Sequence, residues 1–340
     1  MPIELNWKDA MPRRIFLFLV LLGICLPSVY AVEAVWPEKV HYRHAEVLGQ
    51  SVFYRESGES HQQTLVLLHG YPSSSHAYRE LIPLLSGRYH VIAPDHIGSG
   101  FSSKPDPESF EYSFEVLAKY VDGLLTKLKV GEYVLYMQDF GAPVGFNLMR
   151  INPEKIKALI AQNANAYLEG IPSEKQDFFK SAQTDKSPEN LAKLYAFTSP
   201  EAVKLKQYLR DVHHHPDIMS PDTWTHDGHF LSTDTERRIQ VALFQDYKTN
   251  LDRYPIWQKF MRENQFPLLL VWGERDPVFT ADGARAYLKD LPKAELHLLD
   301  AGHFAVEEKA VEIAQYITRF LGYSKTSGTI LKQSRLLPEQ

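Results

Sequence analysis

What this chain can fold into is limited first by a series of short apolar runs that stop abruptly at glycine, proline, histidine or aspartate. Thr64-Leu-Val-Leu-Leu68 ends at His69-Gly70, and Tyr89-His-Val-Ile-Ala93 ends at Pro94-Asp95. Tyr133-Val-Leu-Tyr-Met137 runs into Gln138-Asp139-Phe140-Gly141, 266–272 ends at Gly273 and 296–299 at Asp300, and 156–161 is a further short apolar run, ending at Gln162-Asn163. Runs this short and apolar suit strands buried on both faces, as in a parallel sheet whose crossovers cover each side. Helix-spaced stretches at 114–128 and 141–150 fall between them. Such alternation predicts a mostly parallel α/β sheet. Ahead of it, residues 41–47 and 51–56 alternate about a turn at Gly49, which predicts two further strands.

The alternation breaks between 163 and 265. This stretch is polar, helical in character and rich in Tyr, Phe, Trp and His, with no apolar run long enough for a core strand. It reads as a helical cap inserted into a core formed by 32–162 and 266–322. Its apolar residues are too sparse for a separate core. The tail, 323–340, is aperiodic and is expected to be loosely ordered.

At the N-terminus, Arg13 and Arg14 precede an apolar run from Ile15 to Leu26, followed by Pro27 and Val29-Tyr30-Ala31. A basic start, a short apolar run and a small-residue exit describe a secretory signal peptide over 1–31. The alternative is an uncleaved membrane anchor, but the run is short for a span, which takes about 20 residues. The expectation is therefore an exported, periplasmic or secreted protein with no stable span after cleavage. Cleavage after Ala31 would also remove Cys25, the only cysteine. The mature chain would then hold no disulfide, thiol nucleophile or cysteine metal site. With 37 Lys+Arg against 42 Asp+Glu and no basic block, a nucleic-acid partner is not expected.

The chemistry centres on residues 133–142. A strand running straight into a Gly-bounded turn and a helix is a nucleophile elbow, which lifts one side chain above the sheet. Serine usually holds that position in G-x-S-x-G; here it is Asp139, and the chain has no G-x-S-x-G. Taken alone, Asp139 would read as a helix cap. Its companions change that. His69-Gly70-Tyr71-Pro72 follows a buried strand, so the Tyr71 and Phe140 backbone N–H groups can form an oxyanion hole. Asp95-His-Ile-Gly98-Ser-Gly100-Phe-Ser102 follows the next strand as a glycine-rich turn. Val271-Trp-Gly-Glu-Arg-Asp276-Pro and Leu299-Asp-Ala-Gly-His303-Phe end two late strands. The chain order nucleophile, acid, histidine is that of the α/β-hydrolase triad.

From about Val40 to Leu321 the chain resembles the α/β-hydrolases of the epoxide hydrolase and haloalkane dehalogenase group. The resemblance rests on H-G-x-P, D-x-x-G-x-G-x-S, the aspartate elbow, W-G-x-x-D-P and G-H-F. It implies an eight-stranded, mostly parallel sheet flanked by helices, with a helical cap over the site. It also implies Asp139 as nucleophile, His303 as general base and Asp276 as the acid orienting it. Aspartate attacks an sp³ carbon with an oxygen that needs no base and leaves an alkyl-enzyme ester. Histidine is then free to activate water for the second step.

The leaving group separates epoxide from halide. An epoxide oxygen needs a proton donor, in the resembled epoxide hydrolases usually a pair of cap tyrosines. Tyr247 and Tyr208 are the candidates, with Tyr167 as an alternative to Tyr208. A halide needs N–H donors, in dehalogenases a Trp after the nucleophile and often an Asn after His-Gly. Phe140 and Tyr71 stand there instead, and Trp224 or Trp257 has no motif to support it. Fluoroacetate dehalogenases, also similar, use an arginine near the elbow, and none directly follows Asp139. Gln138, where histidine commonly precedes the nucleophile, and Ala142-Pro143 depart from the epoxide hydrolase pattern. These features favour an epoxide, with a haloalkane as the alternative. The aromatic cap suggests a small, hydrophobic substrate, with water as co-substrate.

The histidines 213–215, with His226 and His229, match no closed zinc shell, so no metal is assigned. Gly98-Ser-Gly100 lacks the residues of a phosphate loop or dinucleotide fingerprint, so no cofactor is assigned. A non-catalytic binding protein on the same fold remains a third reading; such proteins often lack a triad member, and all three are present here. Nothing in the sequence specifies an oligomeric state.

Overall fold

The computed structural model describes residues 36–212 and 214–333, of which 323–333 are described by backbone alone. The expected signal peptide therefore lies outside the described residues. Eight strands form one sheet: β1 (His41–Val47), β2 (Gln50–Ser57), β3 (Thr64–Leu68), β4 (His90–Pro94), β5 (Tyr133–Gln138), β6 (Ile156–Gln162), β7 (Leu268–Gly273) and β8 (Glu295–Leu299). Their order is β1-β2-β4-β3-β5-β6-β7-β8. The β1–β2 and β2–β4 pairs are antiparallel and every later pair is parallel. Leu48 and Gly49, both at positive φ, make the two-residue turn that joins β1 to β2.

The central strands are apolar throughout because each face meets its own layer. Val66, Leu68, Leu135, Met137, Leu270 and Trp272 point into one core cluster, which includes residues of the helices Phe114–Lys127 and Gly141–Ile151. Their neighbours Leu65, Leu67, Val134, Tyr136, Leu269 and Val271 point into the other, with the helix Leu81–Ser86 and the helix that begins at Ala305. The period of two along a strand thus divides one apolar run between two cores. Because the parallel strands all point the same way, β3, β5, β7 and β8 deliver their C-terminal loops to one end of the sheet, where a crevice forms.

Between β6 and β7 the described residues are helical or irregular. Helices occur at Ser173–Thr184, Pro188–Phe197, Pro200–Val203 and Pro221–His229, and the last, Asp234–Asn264, is 31 residues long. Ser187, Ser199, Ser220 and Thr233 each cap the N-terminus of the helix that follows, satisfying N–H groups the helix leaves open. The second half of the long helix returns to the core. Trp257 stacks on Phe146 at 4.7 Å, and Arg253 bonds Asn147 and Glu115.

The last helix spans Ala305–Gln333, with a break at Lys309, so backbone over 323–333 is helical rather than loose. Ile313, Ala314, Ile317 and Leu321 bury one face of this helix in the core. Helix growth from an anchored segment is cheap compared with nucleation, and no proline falls before Pro338.

Candidate active site

The elbow forms because β5 must turn into its helix within a few residues. Asp139 takes φ +48°, a left-handed conformation that costs a residue with a Cβ unless its surroundings enforce it. Two glycines make the room. A Cβ on Gly141 would lie 2.2 Å from the Leu68 carbonyl oxygen, and one on Gly70 would lie 2.3 Å from the Asp139 Cβ. The β3 loop and the elbow are thus pressed together. Gln138 ties them by accepting from Gly70 N–H at 3.0 Å. Two buried histidines shape the β3 loop: His96 N–H donates to His69 Nε2 at 3.0 Å. Burial pushes the His69 imidazole down to about 4, which keeps Nε2 able to accept.

This packing brings Tyr71 N–H to 2.7 Å from Asp139 Oδ2. The other carboxylate oxygen, Oδ1, lies 3.4 Å from His303 Nε2. His303 Nδ1 in turn lies 2.7 Å from Asp276 Oδ2. All three side chains are buried, and they come from the ends of β5, β7 and β8. Burial pushes the His303 imidazole down, but the charge on Asp276 and the bond to Asp139 outweigh it and lift the group to about 10. Burial would raise Asp276, yet the His303 charge and bond hold its carboxyl below the usual range. Phe140, the second expected N–H donor, directly follows Asp139, and its ring joins the wall of the site.

The sequence reading missed several supports. Asn163, just past β6 at φ +45°, donates to Asp276 Oδ2 at 2.9 Å and accepts from Gly273 N–H at 2.9 Å. Its carbonyl accepts from Asp139 N–H at 3.3 Å. One side chain and its backbone therefore tie the nucleophile strand to the acid strand. Asn tolerates positive φ better than most residues, and a polar residue at an apolar strand's end was the available signal. From the cap, Asp211 Oδ2 accepts from His303 N–H at 3.0 Å and is chelated by Arg210. Gly302 permits that approach, since a Cβ there would lie 2.4 Å from the Asp211 Cβ.

Asp139 and His303 open onto a cavity of about 590 Å³. Its walls are largely aromatic: Tyr71, Phe140, Phe178, Phe179, Phe197 and Phe244. Glu174, Lys175, Lys206, Gln207 and Arg210 add polar groups from the cap. The expected tyrosine donors are not among the lining residues. Tyr208 turns its hydroxyl to the buried carboxylate of Asp227. Tyr247 stacks between Phe140 and Phe179, with its hydroxyl on that of Tyr254. Tyr167 donates to Asp290 at 2.7 Å. Each buried phenol takes the acceptor that satisfies it, and those acceptors lie away from the cavity. Trp257 stacks on Phe146 and Trp224 packs under Lys204, and neither lines the cavity.

A model of the alpha/beta hydrolase fold matches residues 63–310. The chain belongs to this family. An uncharacterized hydrolase of Saccharomyces cerevisiae is 38% identical to this hydrolase over 275 residues, covering 79% of this chain and 92% of that one. A haloalkane dehalogenase of Psychrobacter cryohalolentis is 26% identical over 279 residues, covering 79% and 87%. The structure of the epoxide hydrolase CorEH superposes with a TM-score of 0.70 at 20% identity, over 84% of this chain and 99% of that one; that likeness concerns the fold. Among the described residues, no group of three His, Cys, Asp or Glu is placed to hold a metal. His226 instead stacks on His76 at 3.9 Å and bonds Asp227. No described helix is long and apolar enough to cross a membrane.

Proposed function

We propose that this hydrolase opens a small apolar epoxide to a diol through an ester on Asp139. One observation carries the reading: the elbow presents a carboxylate with one oxygen on Tyr71 N–H and the other facing His303. Oδ1 attacks an epoxide carbon, and the C–O bond of the ring breaks. The alkoxide takes the proton of the His303 imidazolium, which is the resting form of a group lifted to about 10. Ester formation removes the Asp139 charge that helped hold that proton, so His303 is left neutral. It then takes a proton from water, whose oxygen attacks Cγ. Negative charge develops on Oδ2, already on Tyr71 N–H. Collapse expels the diol oxygen, which is protonated by the carboxyl group formed, and Asp139 and the His303 imidazolium are restored.

Haloalkane hydrolysis is the second reading. It is favoured by the cap phenols, all turned to other acceptors, because a halide leaves without a proton. We also propose, from residues 1–31, that the protein is exported. N-terminal sequencing of protein recovered outside the cytoplasm should begin after Ala31; an intact N-terminus there would count against cleavage, and recovery from the cytoplasm alone would count against export.

The deciding experiment is the intact mass of the His303→Gln variant exposed to epoxides and haloalkanes. Without its base the ester should form and persist, with water supplying the alkoxide proton more slowly. A gain equal to the whole epoxide supports the first reading. A gain equal to the haloalkane less hydrogen halide supports the second. No adduct from any probe would overturn the Asp139 ester.

A further inference from the structure

The cavity wall includes one buried polar side chain that the fold does not use. Gln207 lines it beside Asp139 and His303 and is 5% exposed. Among the described residues its side-chain amide makes no hydrogen bond and faces the cavity. A primary amide on the wall of a cavity with no protein partner keeps its N–H donors available to whatever fills that cavity. Other buried polar groups around the triad are tied to the fold: Asn163 to Asp276, Asp211 to His303 N–H, Tyr71 Oη to the Phe197 carbonyl at 3.2 Å, and Gln138 through its oxygen to Gly70 N–H, its Nε2 being left without a partner away from the cavity lining.

Backbone geometry explains why this residue reaches the cavity. Lys204–Tyr208 is a π-helical turn, closed by Leu209 N–H donating to the Lys204 carbonyl at 3.0 Å. The extra residue in such a turn rotates the side chains after it, and such turns recur at functional sites. Here Tyr208 is carried away toward Asp227, and Gln207 is left on the cavity wall.

We propose that Gln207 is a catalytic residue that holds the leaving atom of the substrate through its amide N–H. The proposal rests on the Asp139 ester reading. A primary amide donates hydrogen bonds without giving up its proton. It can therefore stabilise an alkoxide or a halide as the bond to carbon breaks, while the proton an alkoxide needs still comes from His303. Lys206, one residue earlier, lines the same cavity and places positive charge on the same side.

The test compares ester formation in His303→Gln with that in His303→Gln carrying Gln207→Leu, followed by timed intact-mass measurement. The probes are one aromatic epoxide and a matched alkyl chloride, bromide and iodide. Removing a donor aimed at developing charge typically costs on the order of 10²-fold. That loss is expected for the epoxide and the chloride, shrinking to a few-fold for the iodide, which leaves with least help. Equal loss across all four probes, or none, would overturn the proposal, because a structural role ignores the leaving group. Should the leucine variant fail to fold, Gln207→Glu of similar size serves: a carboxylate beside the leaving anion should give the same ordering with larger losses. Esters that form at unchanged rates refute Gln207 and leave Asp139 standing. No ester in the parent variant refutes both.

Discussion

The floor and the roof of this cavity are built on different principles. The floor comes from strand ends, and its bonds are closed among themselves: Asp139 on Tyr71 N–H, His303 on Asp276, and Asp276 on Asn163 and Val278 N–H. The roof comes from cap helices and consists mainly of aromatic faces, with cations and one unpartnered amide among them. Parallel strands fix where their last residues lie to within the sheet's own register, so a few side chains can be aimed with little freedom left. A helix aims by rotation, and one inserted residue redirects everything after it. The floor is accordingly suited to chemistry that must be the same for every substrate. The roof is where leaving group and substrate shape can be distinguished.

If the floor acts as a unit, its weakest-looking member should matter most in the second step. Replacing Asp276 by Asn removes the charge that first opposes burial in lifting His303. Ester hydrolysis is expected to slow by on the order of 10³–10⁴-fold, while ester formation from a haloalkane stays within a few-fold. Rapid-quench mass measurement would then show ester accumulating in Asp276→Asn as it does in His303→Gln. Parallel losses in both steps would mean that Asp276 only supports the fold.

The two readings of the roof separate with pH. Above the His303 value of about 10 the imidazolium is lost. Ester formation from an epoxide should then fall about tenfold per pH unit, whereas that from a haloalkane should not. The same group makes a stability statement. Its folded value lies above the ordinary histidine value of about 6.5, so its contribution is complete below pH 6.5 and disappears as pH rises through about 10. Chemical denaturation of the wild type should show a decline across that window that His303→Gln lacks. Equal slopes would mean that the ion pair with Asp139 and Asp276 does not form.

Most of the floor was legible in the sequence, and the reason is physical. A buried parallel strand must be apolar, and it must end in a residue with permissive backbone or a polar role. Asp139, Asp276 and His303 each stand just past an apolar run, within three residues of a glycine: Gly141, Gly273 and Gly302. Asn163 obeys the same rule but was hidden, because nothing beside it marks a turn. The roof was not legible. Tyr208 and Gln207 are adjacent in sequence, and the π-helical turn that decides between them is set by packing against Asp227 and the core. Tyr247 was drawn into the aromatic stack of Phe140 and Phe179 for the same reason: a large ring gains more from burial than a motif can predict.

The smallest expected effect is therefore the one that most directly tests the roof. Tyr247→Phe and Tyr208→Phe remove hydroxyls that an epoxide reading from sequence would make proton donors. Their oxygens lie on Tyr254 and Asp227, so ester formation from an epoxide should change by no more than about threefold, a value near the limit of a kinetic comparison. Stability should respond instead, and unequally. Tyr208→Phe strips a hydrogen bond from a buried carboxylate and should cost about 1–3 kcal/mol. Tyr247→Phe separates two phenols, one of which still has Asn165 within 3.4 Å, and should cost less. Asp227 also bonds His226 at 2.9 Å, so the cap segment around Tyr208 should loosen without unfolding. A hundredfold loss of epoxide opening in either variant would mean that the cap swings a phenol into the cavity when substrate binds. Gln207 would then be a spectator, and the roof would be as closely aimed as the floor.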